Sequence, residues 1–275
     1  MIDSGYDNNE FGSPLSVAVA NRDRHTMEMV QEALRKKQVM LAYQPIVQTL
    51  RPDRPAFYEG LIRVLDQSGR VIPAREFINV AETTETGRQL DCLALELGLK
   101  ALNEYKDLRL AINMSARSIG YPRWKETLTT GLHKDQTIAE RLILEITESS
   151  AMVMPDLVSV FMSELQAMGI SFALDDFGAG YTAFRYLKDF YFDMVKIDGE
   201  FIRGIASCPD NQVLTQALVA VAKHFDMYTV AEFVENAADA EYLTEIGIDC
   251  MQGHYFGAAT IDPVWRNRDS RKKAV

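Results

Sequence analysis

Apolar and polar positions alternate in two rhythms along this chain, and the change from one to the other outlines the fold. HTMEMVQEALRKKQ (residues 25–38) has helical spacing, and MLAYQPIVQ (40–48) then reads as a strand. TLRPDRP reads as a turn before a second strand, AFYEGLIRVLD (56–66). A connection this short makes an antiparallel hairpin, because a parallel crossover needs about a dozen residues. Helical stretches at 75–83 and 88–105 lead to LRLAINMS (108–115), and a further helical region leads to RLILEITE (141–148). A helix over 155–168 precedes SFALDD, and a short one over 181–188 precedes MVKID (194–198). Helices at 210–225 and 236–246 precede YTVAEFV (228–234) and CMQGHYF (250–256). Apolar strands alternating with helices predict a parallel sheet covered by helices, and about eight strands favour closure into a barrel.

Composition sharpens this picture. A chain of 275 residues suits one large α/β barrel, and no linker or repeat divides it. The polar N-terminus reads as an extension over 1–24, the barrel domain spans 25–262, and WRNRDSRKKAV supplies a basic tail, taken as 263–275. A net charge of -10 argues against binding polymeric nucleic acid, and a phosphate-bearing ligand here needs metal ions or local basic residues. Cys92, Cys208 and Cys250 form no paired motif and read as reduced thiols. No apolar run approaches a membrane span and the first residues lack a secretory pattern, so the expectation is a cytoplasmic protein without membrane insertion.

Nearly every strand carries one buriable polar residue among apolar neighbours: Glu59, Asn113, Glu145, Asp175, Lys196, Glu232 and Gln252. Taken singly, each is equally well a satisfied core group or a strand-end cap. A charge alone in a barrel core costs several kcal/mol, roughly 2 to 7 for even an uncharged polar group, so the set in register implies convergence on a compensated site. The C-terminal face of a barrel is where strand-end residues meet. Glu, Asn and Asp offer hard oxygen donors with no His or Cys beside them, which suits Mg²⁺ or Mn²⁺ and disfavours zinc or copper.

The step Asp175-Asp176 is unusual because adjacent strand residues face opposite ways. Both carboxylates serve one site if Asp175 ends the strand and Asp176 already lies in the loop that Gly178 and Gly180 allow to bend. Asp175 then bridges two cations while Asp176 binds only the second, an arrangement suited to phosphoryl chemistry. Lys196 is the lone cation in the set, either positioning water and offsetting charge on phosphate or making a structural salt bridge to a neighbouring strand.

YQPIV (43–47), YEGLIR (58–63), INMS (112–115), LEITES (144–149), LDDFGAGY (174–181), VKID (195–198), AEFVE (231–235) and QGHYFG (252–257) together resemble the EAL-domain family. The resemblance implies a modified triosephosphate-isomerase-type (TIM) (β/α)8 barrel with one antiparallel strand. It also implies hydrolysis of cyclic di-GMP to linear pGpG with two Mg²⁺ or Mn²⁺ ions. By that pattern Glu59, Asn113, Glu145 and Asp175 hold the first metal, and Asp175, Asp176 and Glu232 the second. Lys196 orients or activates the water, with Glu59, Asp176 and Glu232 completing the catalytic set. Gln44, Leu61, Arg63, Glu235 and Gln252 match positions near the dinucleotide. Glu148 matches a glutamate that holds the DDFGxG loop, or else serves as a helix N-terminal acid favoured by the dipole. Family members pair through helices beside that loop, which makes TAFRYLKDF (182–190) the expected homodimer surface.

Gly60, Phe233 and His254 depart from the commoner Ala, Gly and Tyr. No departure removes a metal ligand or the lysine, but they keep a catalytically silent cyclic di-GMP receptor in view. A glycosidase with paired carboxylates is the third reading from the barrel alone. The Asp pair, the lysine and the lack of an aromatic sugar platform weigh against it.

Overall fold

The computed structural model describes residues 14–179 and 187–266. Helix α1 (Pro14–Arg35) leads into strands β1 (Val39–Gln48), β2 (Arg51–Leu65) and the short β3 (Val71–Ile72). Helices α2 (Ile78–Ala81) and α3 (Glu85–Glu104) precede β4 (Leu110–Asn113), and α4 (Pro122–Lys134) precedes β5 (Leu142–Thr147). Then come α5 (Glu148–Ala151), α6 (Pro155–Gln166), β6 (Ser171–Phe177), β7 (Met194–Ile197), α7 (Gly199–Ile202) and α8 (Pro209–His224). Strand β8 (Tyr228–Ala231), α9 (Ala237–Glu245) and β9 (Cys250–Gln252) complete the described elements.

The strand order β1-β9-β8-β7-β6-β5-β4-β2 closes through a β1–β2 pairing, with β3 added beside β2. Strand β1 is antiparallel to both neighbours, whereas β2 and β4 to β9 run parallel. This is the expected TIM-type barrel with one reversed strand.

Three differences from the expected elements have local causes. Helix α1 begins at Pro14, eleven residues before the predicted stretch, with proline's fixed φ suited to a first helical turn. Strand β2 begins at Arg51, because RPDRP, predicted as a turn, extends as an exposed strand against the end of β1. The third concerns β6, which does not end at Asp175. It continues to Phe177 through a bulge between Leu174 and Phe177 opposite β7. The helix predicted over 181–188 and the TAFRYLKDF surface fall mostly outside the described residues.

The period-2 alternation of the strands builds the barrel interior in layers. Ile46, Phe57, Ala111, Ile143, Ala173, Met194 and Val230 form one apolar cluster, joined by Cys250. Two residues further along each parallel strand stand Glu59, Asn113, Glu145, Asp175, Lys196, Glu232 and Gln252. On the reversed strand the order inverts, and Gln44 precedes Ile46. The polar set is therefore the next layer up, resting on an apolar floor. A larger cluster fills the space between strands and helices, and a third gathers Val30, Ala33 and Leu34 of α1 with Val64, Ile72, Phe77 and Leu93.

Gly60 faces away from the site. A Cβ there would meet the Ile112 δ-methyl at 2.8 Å, and one at Gly98 would meet the same methyl at the same distance. The two glycines make room for one isoleucine, so the departure at Gly60 belongs to packing.

Candidate active site: an acid ring around one lysine

Lys196 is 1% exposed and sits at the centre of the polar layer. Its Nζ lies 2.8 Å from Glu232 Oε1, 3.0 Å from Asp175 Oδ1, 3.1 Å from Glu145 Oε2 and 3.4 Å from Glu59 Oε2. Three strands and the residue following β8 thus direct carboxylates at one ammonium. Glu59 also accepts from Asn113 Nδ2 at 2.7 Å and from Gln252 Nε2 at 2.6 Å. Gln252 Nε2 reaches Gln44 Oε1 at 3.2 Å, and Gln44 Nε2 donates to the Gly257 carbonyl at 3.2 Å. These contacts tie β1, β2, β4, β5, β6, β7 and β9 to the residue following β8.

Asp176 joins the ring through its backbone. Its φ is +55°, in the left-handed region that aspartate visits more readily than most residues. The bulge and this φ turn its carboxylate to the side that Asp175 faces, and one oxygen each from Asp175, Asp176 and Glu232 lie within 4.8 Å of one another. The loop beyond is held by Glu148, buried at the start of α5, whose Oε2 accepts from the Gly178 N–H at 3.1 Å.

The electrostatics show too many anions for one cation. Burial and the acids around it push Glu232 up to about 8, despite Lys196. Burial and then Asp175 raise Asp176 to about 6. Glu145 is raised well above the ordinary carboxylate range, chiefly by burial. Glu59 goes the other way, because Lys196 and the hydrogen bonds from Gln252 and Asn113 outweigh its own burial. Burial opposes the charge on Lys196, but Asp175, Glu145, Glu232 and Glu59 together raise its pKa well above the ordinary lysine value. The ammonium stays charged.

A divalent cation would offset this excess of negative charge. Oε1 of Glu145 is buried with no hydrogen-bond donor among the described residues, and Asp175 Oδ1, though beside the ammonium, lies off its hydrogen-bonding angle. Five carboxylates and an amide form an all-oxygen donor set that suits Mg²⁺ or Mn²⁺, and the residues present fit such ions.

Above the ring opens a cleft of about 350 Å³ lined by Gln44, Glu59, Leu61, Asp175, Asp176, Lys196, Glu232, Glu235 and Gln252, with Phe233, Gly253 and His254. Asn113 and Glu145 do not line it and join the ring by the contacts above. Arg63 does not line the cleft, although its charge interacts with that of Glu59, two inward positions away on β2. It is half-buried on β2 and donates to the Ile62 carbonyl at 3.2 Å. Sequence reasoning missed the acids that hold the surrounding turns, half-buried Asp91 and buried Asp239. Asp91 accepts from Ser115 N at 3.0 Å and Ser118 Oγ at 2.6 Å behind Asn113, with burial raising it to about 6. Asp239 holds the turn after α7, and Asn236 four residues past Glu232 was the available signal, as an N-cap residue three before that acid.

The comparisons with known proteins agree with this geometry. The EAL domain model matches residues 27–259. The chain is 33% identical over 255 residues to signaling protein YkoW of Bacillus subtilis, covering 88% of this chain and 31% of the relative. It is 33% identical over 235 residues to cyclic di-GMP phosphodiesterase PdeF of Escherichia coli, covering 84% and 31%. It therefore spans about a third of the length of these relatives. The solved structure of the PaMucR phosphodiesterase in complex with c-di-GMP superposes with a TM-score of 0.75 at 30% identity, covering 88% of this chain and 99% of that one. The FimX EAL domain from Pseudomonas aeruginosa, bound to c-di-GMP, shares the fold with a TM-score of 0.78 at 24% identity, covering 86% and 97%. A reversed-strand barrel, an acid ring around one lysine and a family model spanning most of the sequence place this chain in the EAL-domain family.

Proposed function

We propose that this domain hydrolyses cyclic di-GMP to linear pGpG with the aid of two divalent cations. The observation that carries the reading is the complete ring of Glu59, Asn113, Glu145, Asp175, Asp176 and Glu232 around Lys196. Several relatives, PdeF among them, are named as phosphodiesterases of this dinucleotide, and the structure at 30% identity is a phosphodiesterase complexed with it. Glu59, Asn113, Glu145 and Asp175 would hold one ion, and Asp175, Asp176 and Glu232 the other. Bound Mg²⁺ or Mn²⁺ supplies Lewis-acid stabilisation of the phosphoryl oxygens and lowers the pKa of water.

The protein's own part follows from its charges. Lys196 stays protonated among the acids, so it orients the attacking water and stabilises negative charge building on the phosphate rather than removing a proton. Glu59 stays ionised and is fixed by Asn113 and Gln252, which holds the β2 side of the ring in place. Glu148, through Gly178, keeps the Asp175-Asp176 bulge against the ring. Gln44, Leu61, Glu235 and Gln252 shape the walls that receive the dinucleotide. Arg63 lies one inward position beyond Leu61 on β2, and the guanidinium N–H groups not taken by the Ile62 carbonyl would meet the dinucleotide there.

The test is incubation with cyclic di-GMP and Mg²⁺ or Mn²⁺, with the product analysed for pGpG. Turnover that disappears with chelator is expected. Tight binding without hydrolysis under both metals overturns the reading in favour of a receptor.

A further inference from the structure

Phe233 holds a backbone that glycine would hold without steric cost. Its φ is +53°, and an aromatic residue in the left-handed region is strained unless its surroundings fix it. The ring packs over Gly199, where a Cβ would come within 2.3 Å of Phe233 Cδ2. The residue is nevertheless 45% exposed, in the wall of the cleft beside Glu232.

Over this ring lies the guanidinium of Arg203, with Cζ 4.0 Å from the ring centroid. Arg203 directly follows α7, and the turn behind it is fastened from below. Buried Asp239 accepts from Gly204 N and Ala206 N, both at 3.0 Å, and from Asn236 Nδ2 at 2.7 Å. The Arg203 guanidinium makes no ion pair or hydrogen bond to any of the described residues, so its N–H groups have no acceptor among them. A buried carboxylate fixes the backbone, an aromatic ring lies against the guanidinium, and no described residue accepts from its donors.

We infer that Phe233 and Arg203 form a base-reading arm at the rim of the cleft, taking the N7 and O6 acceptors of one guanine of the ligand. The inference rests on the cyclic di-GMP reading above and names a specificity determinant within it. A guanidinium is planar and presents two donors in one plane, which matches the coplanar N7 and O6 of guanine. Adenine carries an amino donor where guanine has O6, so the same fork rejects it. Phosphate belongs instead with the acid ring and its cations.

The experiment is calorimetric titration of the whole chain with cyclic di-GMP and with cyclic di-AMP, in chelator so that no turnover intervenes. Arg203→Ala, Arg203→Lys, Phe233→Gly and the Arg203→Ala/Phe233→Gly pair are compared with the unaltered protein. Each single variant is expected to lose roughly tenfold or more in affinity for cyclic di-GMP, as for one bidentate guanine contact. The pair should lose little more than either alone, and the preference over cyclic di-AMP should shrink. The exposed Arg203 variants should melt as the unaltered protein does, so a folding defect cannot imitate the effect. Unchanged affinity in Arg203→Ala, with the unaltered protein binding, overturns this inference alone. Equal losses for both dinucleotides overturn it too, in favour of a phosphate contact. Failure of the unaltered protein both to bind cyclic di-GMP in chelator and to hydrolyse it with Mg²⁺ or Mn²⁺ overturns the functional reading itself, and where only the metal-loaded protein engages the ligand the same losses are read as rises in KM.

Discussion

At the scale of single residues, Lys196 and Asp176 carry the most distinctive demands. Lys196 neutralises part of a buried anionic cluster, and removing one member of such a group costs about 3–5 kcal/mol. Lys196→Ala is expected to melt well below the parent in chelator and to recover much of the difference with Mg²⁺. In the metal-loaded protein it should retain dinucleotide binding while turnover falls by roughly 10²–10⁴-fold. Loss of binding together with turnover sinks the assigned role. The lysine and its acids were legible in the sequence because each was the one polar letter in an apolar strand. The conformation of Asp176 was only half legible. Two adjacent carboxylates serving one site demanded a break in the pleat, but a bulge inside a continuing strand and a loop after it are written with the same letters. Arg203 was invisible because its partner ring lies thirty residues on, and only folding brings α7 beside the turn after β8.

At the scale of elements, the parallel strands and most helices match the expected positions within a few residues, since a floor of apolar residues and a regular polar layer leave little freedom of register. The failures are exposed segments. RPDRP pairs as a strand although its composition reads as a turn, because the β1 edge offers hydrogen bonds that local propensity does not report. The Gly60, Gly98 and Ile112 contact makes a prediction at this scale. Gly60→Ala forces the Ile112 δ-methyl aside, and overpacking of this kind typically costs about 1–3 kcal/mol. Trimming that methyl in Gly60→Ala/Ile112→Val should recover most of the loss in urea unfolding. If the double variant is no more stable than the single, the two glycines are not there to seat the isoleucine.

At the scale of the whole molecule, the acid ring couples stability to pH and to cations. Glu232 and Asp176 bind protons more tightly in the folded protein, at about 8 and about 6, than in the unfolded chain, at about 4. Unfolding between those values releases protons, so metal-free stability should fall as pH rises from about 4 to 8. Glu59 contributes in the opposite sense, but only at the acidic edge of that window. Thermal melts in chelator at pH 6 and pH 8 check the direction, and a higher melting temperature at pH 8 contradicts it. Because the same carboxylates must lose protons to take a cation, Mg²⁺ should raise the melting temperature more at pH 8 than at pH 6.

The reversed first strand has a mechanical consequence. Since β1 runs against its neighbours, its first residues stand at the mouth, and the β1–β2 ribbon rises past the point where β4 stops pairing at Gly60. Helix α1 grips that upper ribbon through Val30, Ala33 and Leu34 against Val64 and Ile72. A pull or twist on α1 is therefore delivered to the arm bearing Glu59 and Leu61, at a point a few residues above the acid layer, before it reaches the opposite end of the barrel.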